Sequence, residues 1–205
     1  VKQARGDLKS YKPKDIIKEV KKAVKESCKN IHLTAQDTGC WGMDTKEKLS
    51  NLLNEVCKLL GDFEVRLGMA NPNHIIKNLE ELIKAYKNPK MKKFLHIPVQ
   101  SGSNKVLKDM KRKYTVQQFN KIVKKFRKEI PEIHIATDVI LGFPTETKSD
   151  FKKTFNLIKE IKPEVLNISR YGIRQGTEAA KMKQLPVQEI SKRSIAIHKL
   201  WKSLW

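Results

Sequence analysis

The sequence predicts an α/β fold on a parallel sheet, and three observations carry that prediction. Five short apolar runs recur roughly 30 residues apart, each followed by a segment whose apolar residues have helical spacing. Hydrophobic residues make up 39% of the 205 positions, enough for a single core. Neither G-x-G-x-x-G nor G-x-x-x-x-G-K-[ST] occurs, which argues against a dinucleotide-binding or P-loop variant of the fold. Five strands do not close an eight-stranded barrel, so the sheet is either doubly wound or part of an incomplete barrel.

The elements follow in order. A first helix starts near Pro13, a favoured first-turn residue, and buries positions 16, 17, 20, 23 and 24 on one face. A strand over 30–35 leads to a polar loop, 36–44, and a helix over 45–60 with Leu49, Leu52, Leu53, Val56 and Leu60 inward. Gly61 stops it. A strand over 63–69, a loop at Asn71-Pro72 and a helix over 73–86 come next. The strand over 93–99 runs into Gln100-Ser-Gly-Ser103, then a short helix over 104–110 and a longer one over 116–128. A strand over 133–141 precedes a helix over 150–161, which Thr145 or Thr147 can cap with Asp150 in the first turn. The last strand covers 165–169. A basic helix over 188–205 follows, with Trp201 and Trp205 four apart as an apolar docking stripe.

Lys and Arg number 43 against 22 acidic residues, a net charge of +21 and a pI near 9.9. Such an excess fits a polyanionic partner, RNA or DNA, although a Lys-rich genome or a hot habitat would raise Lys without one. No apolar run approaches the roughly 18 residues that cross a bilayer, and no signal peptide opens the chain. Cys28, Cys40 and Cys57 form neither a disulfide framework nor a C-x2-C pair, which suits a reducing cytosol. The first residues lack an initiator Met and read as the interior of a longer protein.

In βα-repeat folds the loops after the strands carry the site. Here that rim collects Gln36, Asp37 and Thr38, then Arg66 and Asn71, then Gln100, Ser101 and Ser103. It continues with Asp138, Gly142 and Glu146, and ends on Arg170, Tyr171 and Arg174. The set contains no His/Cys cluster for a metal and no recognisable Ser-His-Asp signature. Carboxylates and amides suit a ribose diol or an amino group, and arginines suit carboxylates or phosphates. The rim therefore reads as a site for a zwitterionic, nucleoside-bearing ligand. Each residue also has a plainer role: Asp37-Thr38-Gly39 as a turn, Ser101-Gly-Ser103 as a helix cap, and His96 as a supporting or core histidine.

Several blocks then stand in a definite order. They are Arg5-Gly6 with Ser10, Thr34-Ala-Gln-Asp-Thr-Gly39, Arg66-Leu-Gly-Met-Ala-Asn-Pro72 and His96-Ile-Pro-Val-Gln-Ser-Gly-Ser103. Leu107-Lys-Asp-Met-Lys-Arg112, Thr137 to Thr147 and Arg174-Gln-Gly-Thr-Glu-Ala-Ala180 complete them. Together they resemble the radical S-adenosylmethionine methylthiotransferases, in particular the archaeal and eukaryotic branch that modifies threonylcarbamoyladenosine in tRNA. Two positions depart from the family pattern: Gly172-Ile173 replaces a usual Ser-Pro, and Thr145 replaces a usual Gly.

The resemblance implies a partial (β/α) barrel of the radical SAM type with its first strand missing. It implies a domain over 1–182 and, over 183–205, a helix leading towards an RNA-binding β-barrel. S-adenosylmethionine and two [4Fe-4S] clusters are expected in the full-length enzyme and no cluster in this chain, because the cluster-binding C-x3-C-x2-C loop would lie upstream of Val1. No side chain here is identified as catalytic; the cofactor supplies a radical that acts on C2 of the adenine. Gln36, Asp37, Arg66, Gln100, Ser101, Asp138, Gly142 and Glu146 are expected on the cofactor, and Asn71, Arg170, Tyr171 and Arg174 on the substrate. The partner would be the anticodon loop of a cytoplasmic tRNA, with no membrane involved and self-association possible through an exposed sheet edge. The alternatives are a methylthiotransferase for isopentenyladenosine or a ribosomal protein, or a non-catalytic RNA-binding module.

Overall fold

The computed structural model describes residues 6–205, which leaves Arg5 of the first block outside the described residues. Strand β1 (Asn30–Leu33) pairs in parallel with β2 (Glu64–Leu67), and β3 (Phe94–His96), β4 (His134–Leu141) and β5 (Val165–Arg170) pair in turn, also in parallel. A parallel bridge between Val65 and Met91 joins the two groups: Val65 N–H donates to the Lys90 carbonyl at 2.7 Å and Lys92 N–H to the Val65 carbonyl at 2.8 Å. The strands thus follow one another in chain order. A doubly wound sheet reverses its strand order at a switch point. Sequential order with right-handed crossovers instead places every connecting helix on one side, as in an incomplete barrel.

The strands alternate in a way that fits this. Ile31, Val65, Leu67, Leu95, Ile135, Val139, Leu141 and Leu166 point to the helical side and are at most 8% exposed. There they join one core with residues of helices α1 (Pro13–Lys25), α2 (Leu49–Cys57), α4 (Leu79–Tyr86), α6 (Val116–Glu129) and α7 (Lys148–Ile161). At the current rate of about 25 cal/mol per Å² of apolar surface removed from water, this layer dominates the stability of the sheet. The residues between them face the other way, and Arg66, His96, Asp138 and Asn167 stand there among Phe94, Ala136 and Ile140.

Three elements differ from the sequence expectation, each for a local reason. The helix expected over 45–60 begins at Leu49, because the Gly42 carbonyl accepts Thr45 N–H and Glu47 N–H in a turn that holds Lys46 at φ 60°; it ends at Cys57, and Leu60, expected to face inward, lies beyond it and is 93% exposed. The helix expected over 73–86 is broken into α3 (Pro72–Ile75), a 3₁₀ turn over Ile76–Asn78 and α4, with Asn78 at φ −127°, ψ 31°. The strand expected over 93–99 ends its regular ladder at His96, since Pro98 has no N–H to donate. The Thr137 hydroxyl continues the connection, donating to the Ile97 carbonyl at 2.7 Å and accepting Val99 N–H at 3.0 Å.

Helix α5 (Asn104–Asp109) and the single turn α8 (Glu178–Lys181) lie between these elements, and α9 (Val187–Lys202) ends the chain's regular structure. Helix α9 shares the core through the fully buried Ile197. Trp201 and Trp205 both donate their indole N–H to the Pro163 carbonyl, at 2.9 and 3.3 Å, but only Trp201 packs against the core while Trp205 is 69% exposed, so the apolar stripe expected of the pair is reduced to Trp201. On the opposite flank, β1 pairs only with β2 among the described residues, and a groove of about 1060 Å³ runs beside it, lined in part by Ile16, Val20, Ile31, Leu33 and Trp41.

Candidate cofactor and substrate site

The face of the sheet away from the helices carries a row that crosses all five strands. His32 on β1 stands in register with Arg66 on β2. The Arg66 guanidinium lies 4.1 Å from the ring centroid of Phe94, and His96, two residues on along β3, shares the face of Phe94. His96 Nε2 lies 3.0 Å from Asp138 Oδ1 on β4, and the Asn167 amide on β5 donates to that same oxygen at 2.7 Å. Burial works to raise the Asp138 pKa, but the contacts with His96 and Asn167 outweigh it and hold the carboxyl below its usual range. Among the described residues, no side chain or backbone donor of the fold hydrogen-bonds the second oxygen, Oδ2.

At the strand ends, Gln100 continues the pairing: its N–H donates to the Asp138 carbonyl at 2.8 Å, and its carbonyl accepts Ile140 N–H at 2.9 Å. It does so at φ 67°, a left-handed conformation that costs a non-glycine residue about 1–2 kcal/mol. Its side chain is 9% exposed, and Oε1 is buried without a hydrogen-bond partner. Strain plus an unpartnered acceptor at a strand end is the pattern of a ligand-contacting residue.

Asp37 is the hub of the neighbouring loops. Oδ1 accepts Gly39 N–H at 3.0 Å and Asn71 N–H at 3.1 Å, while Oδ2 accepts the Asn71 amide at 2.6 Å and lies 2.9 Å from His74 Nδ1. Burial opposes ionisation, but His74 and Asn71 overcome it and lower the pKa. Asp37, Cys40 and His74 bring a carboxylate oxygen, a thiol sulfur and a ring nitrogen within 4.8 Å of one another. With both Asp37 oxygens already accepting two contacts each, the trio reads as a tie between the loops after β1 and β2, not as a metal site. Thr38, buried beside it, donates its hydroxyl to the Met69 carbonyl at 2.9 Å and strengthens the same tie.

Two expected contacts are turned inward. Ser101 is 0% exposed, and its hydroxyl accepts Ser103 N–H at 3.2 Å and lies 3.4 Å from the Thr154 hydroxyl. Its side chain supports the start of α5 and faces no open space. Glu146 is 3% exposed and faces Gly142 N–H and Arg193. Thr147, one residue on, is the α7 cap: it accepts Asp150 N–H at 3.1 Å, and Asp150 returns the bond to Thr147 N–H, a full capping box. Gln36, Arg170 and Arg174 are exposed, and Tyr171 is half-buried with its ring edge-on to Phe143. His32, His96 and Asn167 join the polar row without having been singled out as ligand contacts. Their signal was parity, because each sits two or four residues from a polar neighbour on the same strand face or opposite one across the sheet.

The model of the radical SAM superfamily matches residues 1–158, and the chain belongs to that superfamily. The chain is 51% identical over 197 residues to a Pyrococcus horikoshii protein named as a probable threonylcarbamoyladenosine tRNA methylthiotransferase, covering 96% of this chain and 46% of that one. It is 43% identical over 204 residues to the Caenorhabditis elegans threonylcarbamoyladenosine tRNA methylthiotransferase, covering 98% and 48%. The chain thus spans about half the length of these relatives. Among solved structures, coproporphyrinogen III oxidase of Escherichia coli, a radical SAM enzyme, superposes with a TM-score of 0.66 at 16% identity over 93% of this chain and 45% of that one. That likeness is one of fold.

The superfamily implies S-adenosylmethionine and a [4Fe-4S] cluster. The donor set here fits the first: a guanidinium for a carboxylate, a half-held carboxylate and an unpartnered amide oxygen for a nucleoside. It does not fit the second. Clusters are held by several thiolates, whereas Cys28 is exposed, Cys57 is buried, and among the described residues no metal-competent group contains more than one cysteine.

Proposed function

We propose that this chain is the central part of a methylthiotransferase that places a methylthio group on C2 of threonylcarbamoyladenosine in the anticodon loop of a cytoplasmic tRNA. The identity to archaeal and eukaryotic relatives over nearly the whole chain carries this reading. The polar row across the sheet and the charge of +21 support it. No helix among the described residues is long and apolar enough to cross a membrane, in keeping with an RNA-modifying role. When bound, S-adenosylmethionine supplies the one-electron chemistry that activates the purine C–H bond.

The task of this chain is then to bind and orient. Arg66 meets a carboxylate, Gln100 Oε1 accepts from a ribose hydroxyl or an amine, and Asp138 offers Oδ2 while His96 and Asn167 hold Oδ1. Gln36 and the Asp37 tie shape the neighbouring loop, and Gly142 shapes the turn after β4. Arg170, Tyr171, Asn71 and Arg174 face the RNA, whose anticodon bases can be splayed out. Flanking phosphates meet the exposed lysines and make binding salt-dependent. In the full-length protein we place the half-barrel over 1–182, a helix over 183–205 leading to an RNA-binding domain, and the cluster ligands outside this chain. The chain alone, with the β1 edge open, would be inactive and prone to self-association.

Two measurements test this. Deleting the gene should abolish the 2-methylthio form of threonylcarbamoyladenosine in digested tRNA, and unchanged nucleoside masses would refute the assignment. In the full-length enzyme, Asp138→Ala and Gln100→Ala should each weaken S-adenosylmethionine binding about tenfold, on the scale of one hydrogen bond to a charged or strained site. Wild-type affinity in both would remove these residues from the site.

A further inference from the structure

Helix α9 is basic and mostly solvated on its outer face, yet Arg193 is only 5% exposed. Its Nη1 donates to the Glu146 carboxylate at 2.5 Å and to the Glu146 carbonyl at 3.1 Å, and its Nε donates to Glu189 at 2.9 Å. The guanidinium also lies 5.6 Å from the ring centroid of Phe151 on α7. The Glu146 oxygen that meets Arg193 accepts Gly142 N–H as well, at 2.9 Å. One turn before Arg193, Ile190 fills the space where a Cβ on Gly142 would stand, with side-chain carbons 2.5 to 2.9 Å from that point. A single helix therefore grips the 142–147 turn at both ends, by charge at Glu146 and by contact at Gly142.

A buried ion pair is an inefficient way to dock a helix, because desolvation offsets much of the attraction. Helix α9 is already docked by Ile197 and the two tryptophans. What the pair adds is direction: two bonds from Arg193, one to the Glu146 carboxylate and one to its carbonyl, join the turn's own Gly142 N–H bond in fixing where the turn after β4 stands. That turn follows Asp138 by only a few residues, and its neighbour Gln100 is bonded to the same strand.

We propose that Arg193 is a positioning residue, which through Glu146 holds the turn after β4 in the place that S-adenosylmethionine binding requires. The proposal rests on the function given above, and it adds a helix outside the rim to the machinery of the site. The test uses the reconstituted full-length enzyme, with Arg193→Met, Arg193→Met/Glu146→Gln and wild type compared by three readouts. Thermal unfolding reports the cost of the stranded Glu146 charge, which the double variant removes. Amide exchange at Gly142 and Glu146 reports the turn itself. Equilibrium binding of S-adenosylmethionine reports the site.

Arg193→Met is expected to lower the midpoint of unfolding, and the double variant to recover most of that loss. Both are expected to exchange the Gly142 and Glu146 amides at least tenfold faster, with α9 protected as in wild type, and to bind S-adenosylmethionine about tenfold more weakly. A double variant that regains both stability and wild-type affinity would make the pair a structural contact only and overturn the proposal, as would unchanged exchange at Gly142. A wild-type enzyme that binds no S-adenosylmethionine would refute the proposed function instead, while faster exchange in the variants would still establish the grip on the turn.

Discussion

Gly142 allows a quantitative test of how tightly the turn after β4 is held. Its φ is +80°, and a Cβ there would fall 2.5 Å from Ile190 Cγ1, 2.7 Å from Cδ1 and 2.9 Å from Cγ2. In Gly142→Ala two costs add. A left-handed conformation in a residue with a Cβ costs about 1–2 kcal/mol, and overpacking by one methyl costs about 1–3 kcal/mol. The sum is ~2–5 kcal/mol, a large share of the stability of a domain of this size. Urea unfolding of the 205-residue chain, followed by circular dichroism, would show it as a shift of the midpoint with little change in slope. A double-mutant cycle separates the two parts. Ile190→Ala removes all three close atoms, so Gly142→Ala should cost about 1–3 kcal/mol less in that background, leaving the backbone term. If Gly142→Ala lies within 0.5 kcal/mol of wild type, or if the two substitutions are additive, Ile190 does not press on the turn and the reasoning fails.

Other substitutions test the supports around it. Burial of Asp150 favours its neutral form, but the Ser103 and Thr147 hydroxyls, Thr147 N–H and the nearby Lys105 bring its pKa from 3.8 to about 2. A depressed carboxyl stabilises the fold above its unfolded pKa, so ~2 kcal/mol should be present above about pH 4 and be lost as pH falls towards 2. Asp150→Asn should flatten the acid limb of a stability–pH curve in that window, and an unchanged limb would remove Asp150 from the account. Thr115 caps α6 in a capping box with Gln118, so Thr115→Ala should cost about 1 kcal/mol by urea unfolding, and Thr115→Ser almost none. Trp201→Phe removes the shorter of two indole bonds to the Pro163 carbonyl and should cost about 1 kcal/mol, with Trp205→Phe, at a 69% exposed position, costing less. An equal loss at both would contradict the docking geometry.

Much of the fold was legible because its two periods are separate signals. Strands spaced by amphipathic helices gave the number and direction of the strands, while sequential strand order decided between the two sheet types only once Val65 was seen to bridge Met91. Boundaries failed where a local bond overrides periodicity: the Gly42 carbonyl delays α2, and Pro98 ends the β3 ladder. At the site, strand ends share a rim, so chain position alone places Asp138, Gln100 and Arg66 at the same end of the sheet. Position alone could not give side-chain direction. Ser101 and Glu146 lie at that rim and turn inward, the one towards Thr154, the other towards a helix 47 residues away. Long-range contacts of that kind leave no mark in local sequence, and nothing local sets Arg193 apart from the other charges of the basic helix.

The division of the sheet into two faces has an evolutionary reading. Residues that hold the domain together, such as Val65, Leu95 and Val139, point one way; those that can touch a ligand, such as Arg66, His96 and Asp138, point the other. Exchanging a solvated inner residue removes little buried apolar surface, so its folding cost is small by comparison with a core change. Selection on chemistry and selection on stability therefore act on alternate positions of the same strands with little conflict. A scaffold of this kind can change what it binds while drifting little in shape, in keeping with a shared fold at 16% identity.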